Sequence, residues 1–292
     1  MRLDAAVSAF PAKGEEIRSF SRYSLLPEGS GLALALAAQF LGAEALLCAG
    51  VGEDLYGERL RSICRGHGLD TRFLFSFRGE RTSLALHFRE KNAVRRLYFE
   101  GAGEHLSEEE VEQAFLSLPD ALLCSSELDS AVLPFVLKLA EKKATKVFYR
   151  ETGEVRPLTS PVFCYAVDAE KALRLTGDPF HSDSACMKSA IKIAQLVQTK
   201  YTVLFLPSGG IFLYDGTYGK ILPPLPTEPL DPEGAKEVFL SAFAVELLSG
   251  ESVQNAVSFA FAAKALTEAQ RGYMESFPDR DEVLFLLRKS KQ

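Results

Sequence analysis

The stretch Leu230-Asp231-Pro232-Glu233-Gly234-Ala235-Lys236-Glu237-Val238-Phe239 combines groups that can bind an anion and take up a proton. It opens a long apolar helix expected to run to Leu248. A Gly-Ala step at a helix start leaves backbone N–H groups without intrahelical partners and adds the positive end of the helix dipole. Both suit a phosphate or a developing oxyanion. Glu237, inside that first turn, is placed to take a proton from a hydroxyl held there. Lys236 either blocks the approach of an anion to these amides or supplies it with a charge. Adjacent helix residues do not share a face, so Lys236 need not pair with Glu237. The same stretch also suits an ordinary capped helix in which Glu237 is solvated or ion-paired.

Composition narrows the classes that such a site could serve. The chain has 292 residues, 47% apolar and 25% charged, as in a globular protein with a sizeable core. A net charge of −6 leaves no basic surplus to neutralise phosphates, which argues against nucleic acid as the main partner. Five cysteines, Cys48, Cys64, Cys124, Cys164 and Cys186, are odd in number and widely spaced, which fits a reducing cytoplasm better than a disulfide framework. His67, His87, His105 and His181 are scattered without zinc spacing and read as surface or lid residues. No signal peptide and no long apolar run is present, so neither export nor membrane spanning is expected.

The elements that must position the 230–239 stretch follow from periodicity. Short apolar runs predict strands at 43–50 and 72–77, with a helix at 55–67 between them. Alternation from Thr82 to Phe88 and the return run Arg95–Phe99 predict a hairpin with Glu90-Lys91-Asn92 at its tip. From residue 106 onward, helix and strand alternate. Strands are expected at 121–124, 146–149, 162–167 and 202–206, and helices at 107–116, 130–143 and 184–197. Ile211–Tyr214 and Lys220–Leu222 form a hairpin around Asp215-Gly216, and helices at 233–248, 253–269 and 280–288 finish the chain. This pattern implies a mostly parallel sheet covered on both faces, with ligands at the carboxyl ends of its strands. Ser125, Ser126 and Glu127 end a strand expected to be central, which makes Glu127 a substrate-contact candidate by position.

Residues 230–239 resemble the Asp-Thr-Thr-Gly-Ala-Gly-Asp-Ala-Phe signature of the ribokinase-type (PfkB) sugar kinases. Other pieces of that pattern occur in the family's order. Asp4 and Phe10-Pro11-Ala12-Lys13-Gly14-Glu15 resemble the family's amino-terminal lid, and Glu28-Gly29-Ser30-Gly31-Leu32-Ala33 its sugar-holding Gly-Gly-x-Gly-x-Asn. Ala38-Gln39-Phe40-Leu41-Gly42-Ala43 and Val51-Gly52-Glu53-Asp54-Leu55-Tyr56-Gly57 resemble two further motifs. Gly101-Ala102-Gly103 resembles the end of the second lid strand, and Asp168-Ala169-Glu170-Lys171-Ala172 with Leu175-Thr176-Gly177 resembles Asn-x-x-Glu-Ala…Leu-Thr-Gly.

The resemblance implies a single ribokinase-like three-layer α/β/α domain over residues 1–292, with a small β lid formed by about 5–22 and 80–101. Its lid strands are expected to be antiparallel, with an exposed apolar face favouring a homodimer. The implied activity is ATP- and Mg²⁺-dependent phosphorylation of a sugar or nucleoside-like acceptor, or, where the motifs have diverged, ligand binding by an inactive relative. Gly234, Ala235 and Lys236 would face the γ-phosphate, with Glu237 as base. Asp4, Gly29, Ser30, Gly31, Ala33, Gly103 and Glu127 would lie at the acceptor. Asp168, Lys171, Ser208, Gly209, Gly210 and Phe261 would lie at the nucleotide. The departures fall where that family does chemistry. Ala33 replaces the sugar-binding Asn, Lys171 reverses the charge of the Glu that organises Mg²⁺, and Pro207 lacks the N–H to meet a phosphate. Arg150 stands at a strand end where the family often has Asp. Only three residues precede Asp4, where the family has a whole buried strand, so either the start lies upstream or a sheet strand is lost.

Overall fold

The opening strands β1 (Arg2–Ala6) and β2 (Tyr23–Leu26) pair antiparallel, and helix α1 (Ser30–Phe40) follows them. A computed structural model of the chain describes residues 1–6, 10, 13–14, 16, 23–90, 93–128, 130–153, 155–177, 182–225 and 229–289. Pro11, Ala12 and Glu15 of the lid motif, Lys91-Asn92 at the hairpin tip, and His181 lie outside these residues. β3 (Ala49–Gly52) leads into α2 (Leu55–Gly66), and β4 (Leu74–Phe77) returns parallel to β3. β5 (Leu84–Glu90) and β6 (Ala93–Phe99) form the expected hairpin.

These strands build a lid sheet in the order β2-β1-β5-β6. Its pairing differs from the expectation. β1 runs parallel to β5, with Asp4 opposite His87 and Ala6 opposite Arg89. The described amino-terminal contribution is Arg2–Ala6 and Tyr23–Leu26, and most of residues 7–22 lie outside the described residues. A parallel pair of strands so far apart in the chain leaves no turn signal to read. Asp54 ties the lid to the body. One of its oxygens caps α2 through the Gly57 N–H (2.9 Å), and the pair also accept the Thr82 N–H (2.8 Å) and hydroxyl (2.7 Å). Thr82 Oγ1 in turn accepts the Gly52 N–H at 3.0 Å.

The second half alternates as expected. A 3-10 turn (Ala102–His105) precedes α3 (Glu108–Phe115), whose start carries a Ser107/Glu110 capping box. There follow β7 (Ala121–Ser125), α4 (Leu133–Lys142), β8 (Lys146–Glu151), β9 (Val162–Asp168), α5 (Ala169–Thr176), α6 (Asp183–Val197), β10 (Thr199–Phe205), β11 (Ile211–Tyr214) and β12 (Gly219–Leu222). α7 (Ala235–Leu248), α8 (Val253–Glu268) and α9 (Arg280–Lys289) close the chain. α5 is an addition to the expected elements. The main sheet has the order β12-β11-β10-β9-β8-β7, parallel from β7 to β10 and antiparallel beyond. β7 is therefore an edge of this sheet and not its centre as expected.

Period-two alternation gives the sheet two apolar faces. Phe148, Cys164, Ala166, Val203 and Phe205 pack on one side with α1, α7 and α8. Val147, Tyr149, Tyr165, Val167 and Leu204 pack on the other with α3, α4 and α6. The result is the expected three-layer α/β/α arrangement with the small lid sheet beside it. α7 is apolar on all sides because it is buried from Val238 to Glu246. Buried Glu246 on it is met by Arg280 at 2.6 Å. The five cysteines are free, and no helix among the described residues is long and apolar enough to cross a membrane.

Candidate active site

The first turn of α7 lies where two ion clusters meet. Its N-cap, Gly234, has φ +79, and the Gly234 carbonyl accepts the Val238 N–H at 2.9 Å. Tyr273 and Phe277 close over Gly234, leaving no room for a Cβ there. On one side of this turn stands the end of the main sheet. Arg150, at the end of β8, is 4% exposed. Its Nη1 donates to the Glu151 carbonyl at 2.5 Å and its Nη2 to Asp168 Oδ2 at 3.1 Å. Its Nε lies 3.5 Å from Glu237 Oε1 and is buried without a hydrogen-bond partner. Lys236 Nζ meets the other oxygen of Asp168. Lys236 thus pairs across to β9 and Glu237 faces β8, because neighbouring helix residues point in different directions. Burial would raise the Asp168 carboxyl, but Arg150 and Lys236 outweigh it and hold the group low.

On the other side stands the lid. Arg2, 2% exposed, contacts Glu233 Oε1 at 2.8 Å and Glu28 Oε1 at 3.3 Å. Arg89 grips Asp4 through Nε and Nη2 (each 2.8 Å) and reaches Glu233 at 3.4 Å. His87 is buried between them and neither ring nitrogen has a hydrogen-bond partner. Burial and the nearby Arg2 push its pKa down from 6.5 to about 4. His87 is thus a lid residue as expected, but an enclosed one. Burial raises Glu28, opposed by Arg2. Burial would also raise Asp4, but the Arg89 hydrogen bond outweighs it and leaves that carboxyl low. Ligand atoms of Glu28, His87 and Glu233 converge to within 4.8 Å of one another. The cation between the two carboxylates is Arg2 itself.

The remaining sequence candidates are spread between these clusters and the core. Glu127 Oε2 accepts the Ser30 N–H at 2.9 Å, and burial raises its carboxyl. That bond joins the start of α1 to the end of β7, beside Gly29, whose carbonyl accepts the Tyr273 hydroxyl at 3.3 Å. Gly31 is exposed, while Ala33 is fully buried in the core. Gly103 sits in the 3-10 turn near Ser83. Lys171 lies in the first turn of α5, and its charge acts on Glu127. Ser208, Gly209 and Gly210 form a turn in which the Gly209 carbonyl accepts Lys264 Nζ at 3.1 Å. Phe261 offers no open face for a base. It is 7% exposed and packs edge-on against Phe239. An aromatic residue in a helix as apolar as α8 lowers its free energy more by entering the core than by waiting for a ligand.

Arg2, Arg89, His87, Glu233 and Tyr273 are site residues that sequence reasoning missed. A signal existed for three of them, Arg2, His87 and Arg89. Arg2 and Asp4, and likewise His87 and Arg89, are two apart on strands and share a face. Only the β1–β5 register shows that the two faces are the same one. The Mg²⁺ that the resemblance implies does not fit these residues. Both oxygens of Asp168 are in ion pairs, and position 171 is a lysine. Mg²⁺ is held through one or two carboxylates plus water and phosphate oxygens. A carboxylate flanked by an ammonium and a guanidinium is a poor ligand for it.

Comparison with known proteins agrees with this arrangement. Residues 1–280 match the family described as pfkB family carbohydrate kinase. The chain is 26% identical to a ribokinase of Haemophilus influenzae, over 97% of this chain and 94% of that protein. The structure of Arabidopsis thaliana ribokinase complexed with ribose and ATP superposes with a TM-score of 0.87 at 23% identity, covering 98% of this chain and 95% of that one. Ribokinase from Giardia lamblia does so with a TM-score of 0.86 at 19% identity, covering 99% and 96%. The matched span takes in the lid strands, the α7 start and both ion clusters, and the chain belongs to the pfkB family of carbohydrate kinases.

Proposed function

We propose that this protein transfers a phosphoryl group from ATP to a hydroxyl of a sugar or related alcohol. The observation that carries the reading is the Glu237 carboxylate in the first turn of α7, beside the Lys236 and Glu237 amides, the Ala235 N–H being given to the Pro232 carbonyl at 3.3 Å. In this mechanism the acceptor hydroxyl lies against Glu237 between the lid and the main sheet. Glu237 takes its proton as the oxygen attacks the γ-phosphorus, and the α7 amides and Lys236 meet the charge on the transferring group. The lid ions position the acceptor, with Asp4 and Glu233 offering oxygens to sugar hydroxyls. The turn at Ser208–Gly210 lies at the nucleotide end. A coupled ADP-release assay over a panel of sugars tests this. Glu237→Gln keeps the volume and removes the proton acceptor, so turnover is expected to fall by about 10²–10⁴-fold. Undiminished turnover in that variant would refute the role.

A second reading is favoured by a specific contact. Arg150 already faces Glu237, and Lys236 already holds Asp168. Both ties oppose catalysis and suit a chain that binds ATP and acceptor without turning them over. Ligand-induced thermal stabilisation without ADP formation is its signature. The proposal extends to a homodimer through the lid. Tyr23, Leu97, Tyr98 and Phe99 are all more than half exposed, so both faces of β6 are open. Light scattering of the wild type against Leu97→Glu checks this.

A further inference from the structure

We propose that the phosphate chain of the nucleotide is held at the start of α7 by side-chain cations, Lys236 and Arg150, with no bridging Mg²⁺. This rests on the reading of this end of the sheet as the nucleotide's phosphate site.

The charge count beneath the first turn of α7 sets the argument. Three carboxylates, Asp168, Glu237 and Glu127, face three cations, Lys236, Arg150 and Lys171, and the positive end of α7 adds to the cationic side. No acidic surplus is left to hold a divalent ion, and an ion entering beside Lys236 Nζ and the Arg150 guanidinium is repelled by both.

The same geometry suits a polyanion. Arg150 is buried and fixed by two of its nitrogens, and its Nε has no hydrogen-bond partner. The guanidinium is therefore a preformed, planar cation beneath the first turn of α7, with its Nε–H unspent. Lys236 is different, because its side chain is 39% exposed and its stem is flexible. It can turn from Asp168 to a phosphate oxygen while Asp168 keeps Arg150 as its partner. An arriving phosphate chain meets Lys236 and the α7 amides first, with the buried guanidinium behind them. Mg²⁺ chelated to ATP removes two units of the charge that these groups would attract.

The test is calorimetric titration of the intact protein with ATP, once in EDTA and once in excess Mg²⁺. Metal-free ATP is expected to bind at least as tightly as MgATP. Lys236→Met, at a partly exposed position, keeps the fold. It is expected to weaken metal-free binding by about tenfold, the loss of one charge-assisted contact. Because it also releases one oxygen of Asp168, it should shift the preference towards MgATP. Lys236→Arg should restore the metal-free preference. Tighter binding of MgATP than of ATP by tenfold or more in the wild type overturns the inference and leaves the nucleotide site standing. Equal losses for Lys236→Met in both conditions overturn it as well, since a packing defect acts on both. If neither form of ATP binds, the nucleotide reading itself fails and takes this inference with it.

Discussion

Replacing Gly234 with alanine tests whether the start of α7 is pinned from above. Gly234 has φ +79, in the left-handed region, where a side chain costs about 1–2 kcal/mol. An added Cβ would also lie 2.7 and 2.9 Å from ring atoms of Phe277 and 3.2 Å from Tyr273. Forcing extra volume into packed rings costs about 1–3 kcal/mol. The two together give about 2–5 kcal/mol. For a chain of this length the unfolding entropy is about 0.6 kcal/mol per degree at the midpoint, so Tm should fall by about 3–8 °C. Gly250 supplies the control. It has φ +87, yet a Cβ there meets nothing within 4 Å. Gly250→Ala should cost only the conformational part, about 2–3 °C. Adding Phe277→Leu to Gly234→Ala should recover part of the loss, giving a measurable coupling between the two sites. Thermal and urea unfolding read the wild type, the double variant and the three single variants, Phe277→Leu included. Equal shifts for Gly234→Ala and Gly250→Ala would show that the rings yield freely, and the pinning argument would be wrong. The functional counterpart is displacement of the α7 amides, for which a shift near 1 Å costs on the order of 10²-fold in rate.

Other outcomes can be checked alongside. On the second reading, in which the two ties oppose catalysis, the double change Lys236→Gly with Glu237→Asp removes the tie to Asp168 and draws the carboxylate back from Arg150, and it should raise sugar-dependent consumption of MgATP above the parent's. No gain over the parent would refute the view that these two ties restrain transfer. Lys171→Glu adds a carboxylate near Asp168 and should increase Mg²⁺-dependent nucleotide binding in calorimetry; an unchanged isotherm counts against it. His87 gives a pH signature. Its folded pKa is about 4 against 6.5 unfolded, so between those values the unfolded chain binds the proton that the folded chain refuses. Stability should therefore fall as pH drops from 6.5 towards 4. Burial raises Glu28 and Glu127 in the opposite sense, so the diagnostic is the difference between wild type and His87→Phe, whose melting temperature should vary less over that range.

Much of the architecture is legible in the residues. Alternating apolar residues at 147–149 and 164–167 assign opposite sheet faces without any coordinates, because the pleat has a period of two. The run from Val238 to Leu248 is apolar all round, which requires a helix buried on every side. The Gly-Ala step marks its start. The family resemblance adds the order of the motifs and the expectation of a lid.

What remained hidden depends on which distant residues meet. The parallel β1–β5 pairing joins segments more than 80 residues apart, and no local turn announces it. Without that register, Arg2, Asp4, His87 and Arg89 are scattered polar residues on two strands. With it they are one ion cluster around Glu28 and Glu233. Phe261 could be read as a base-stacking ring or as core filling, and only the packing of α8 on α7 decides for the core. Arg150 was visible as an unusual residue at a strand end. That it holds Asp168 and faces Glu237 follows from the neighbouring placement of β8, β9 and the first turn of α7. The sequence by itself determined the residue types and the elements that carry them, because propensity and periodicity act over a few residues. Tertiary structure alone decided which charges neutralise one another, because ion pairing depends on distances of a few ångströms between segments far apart in the chain.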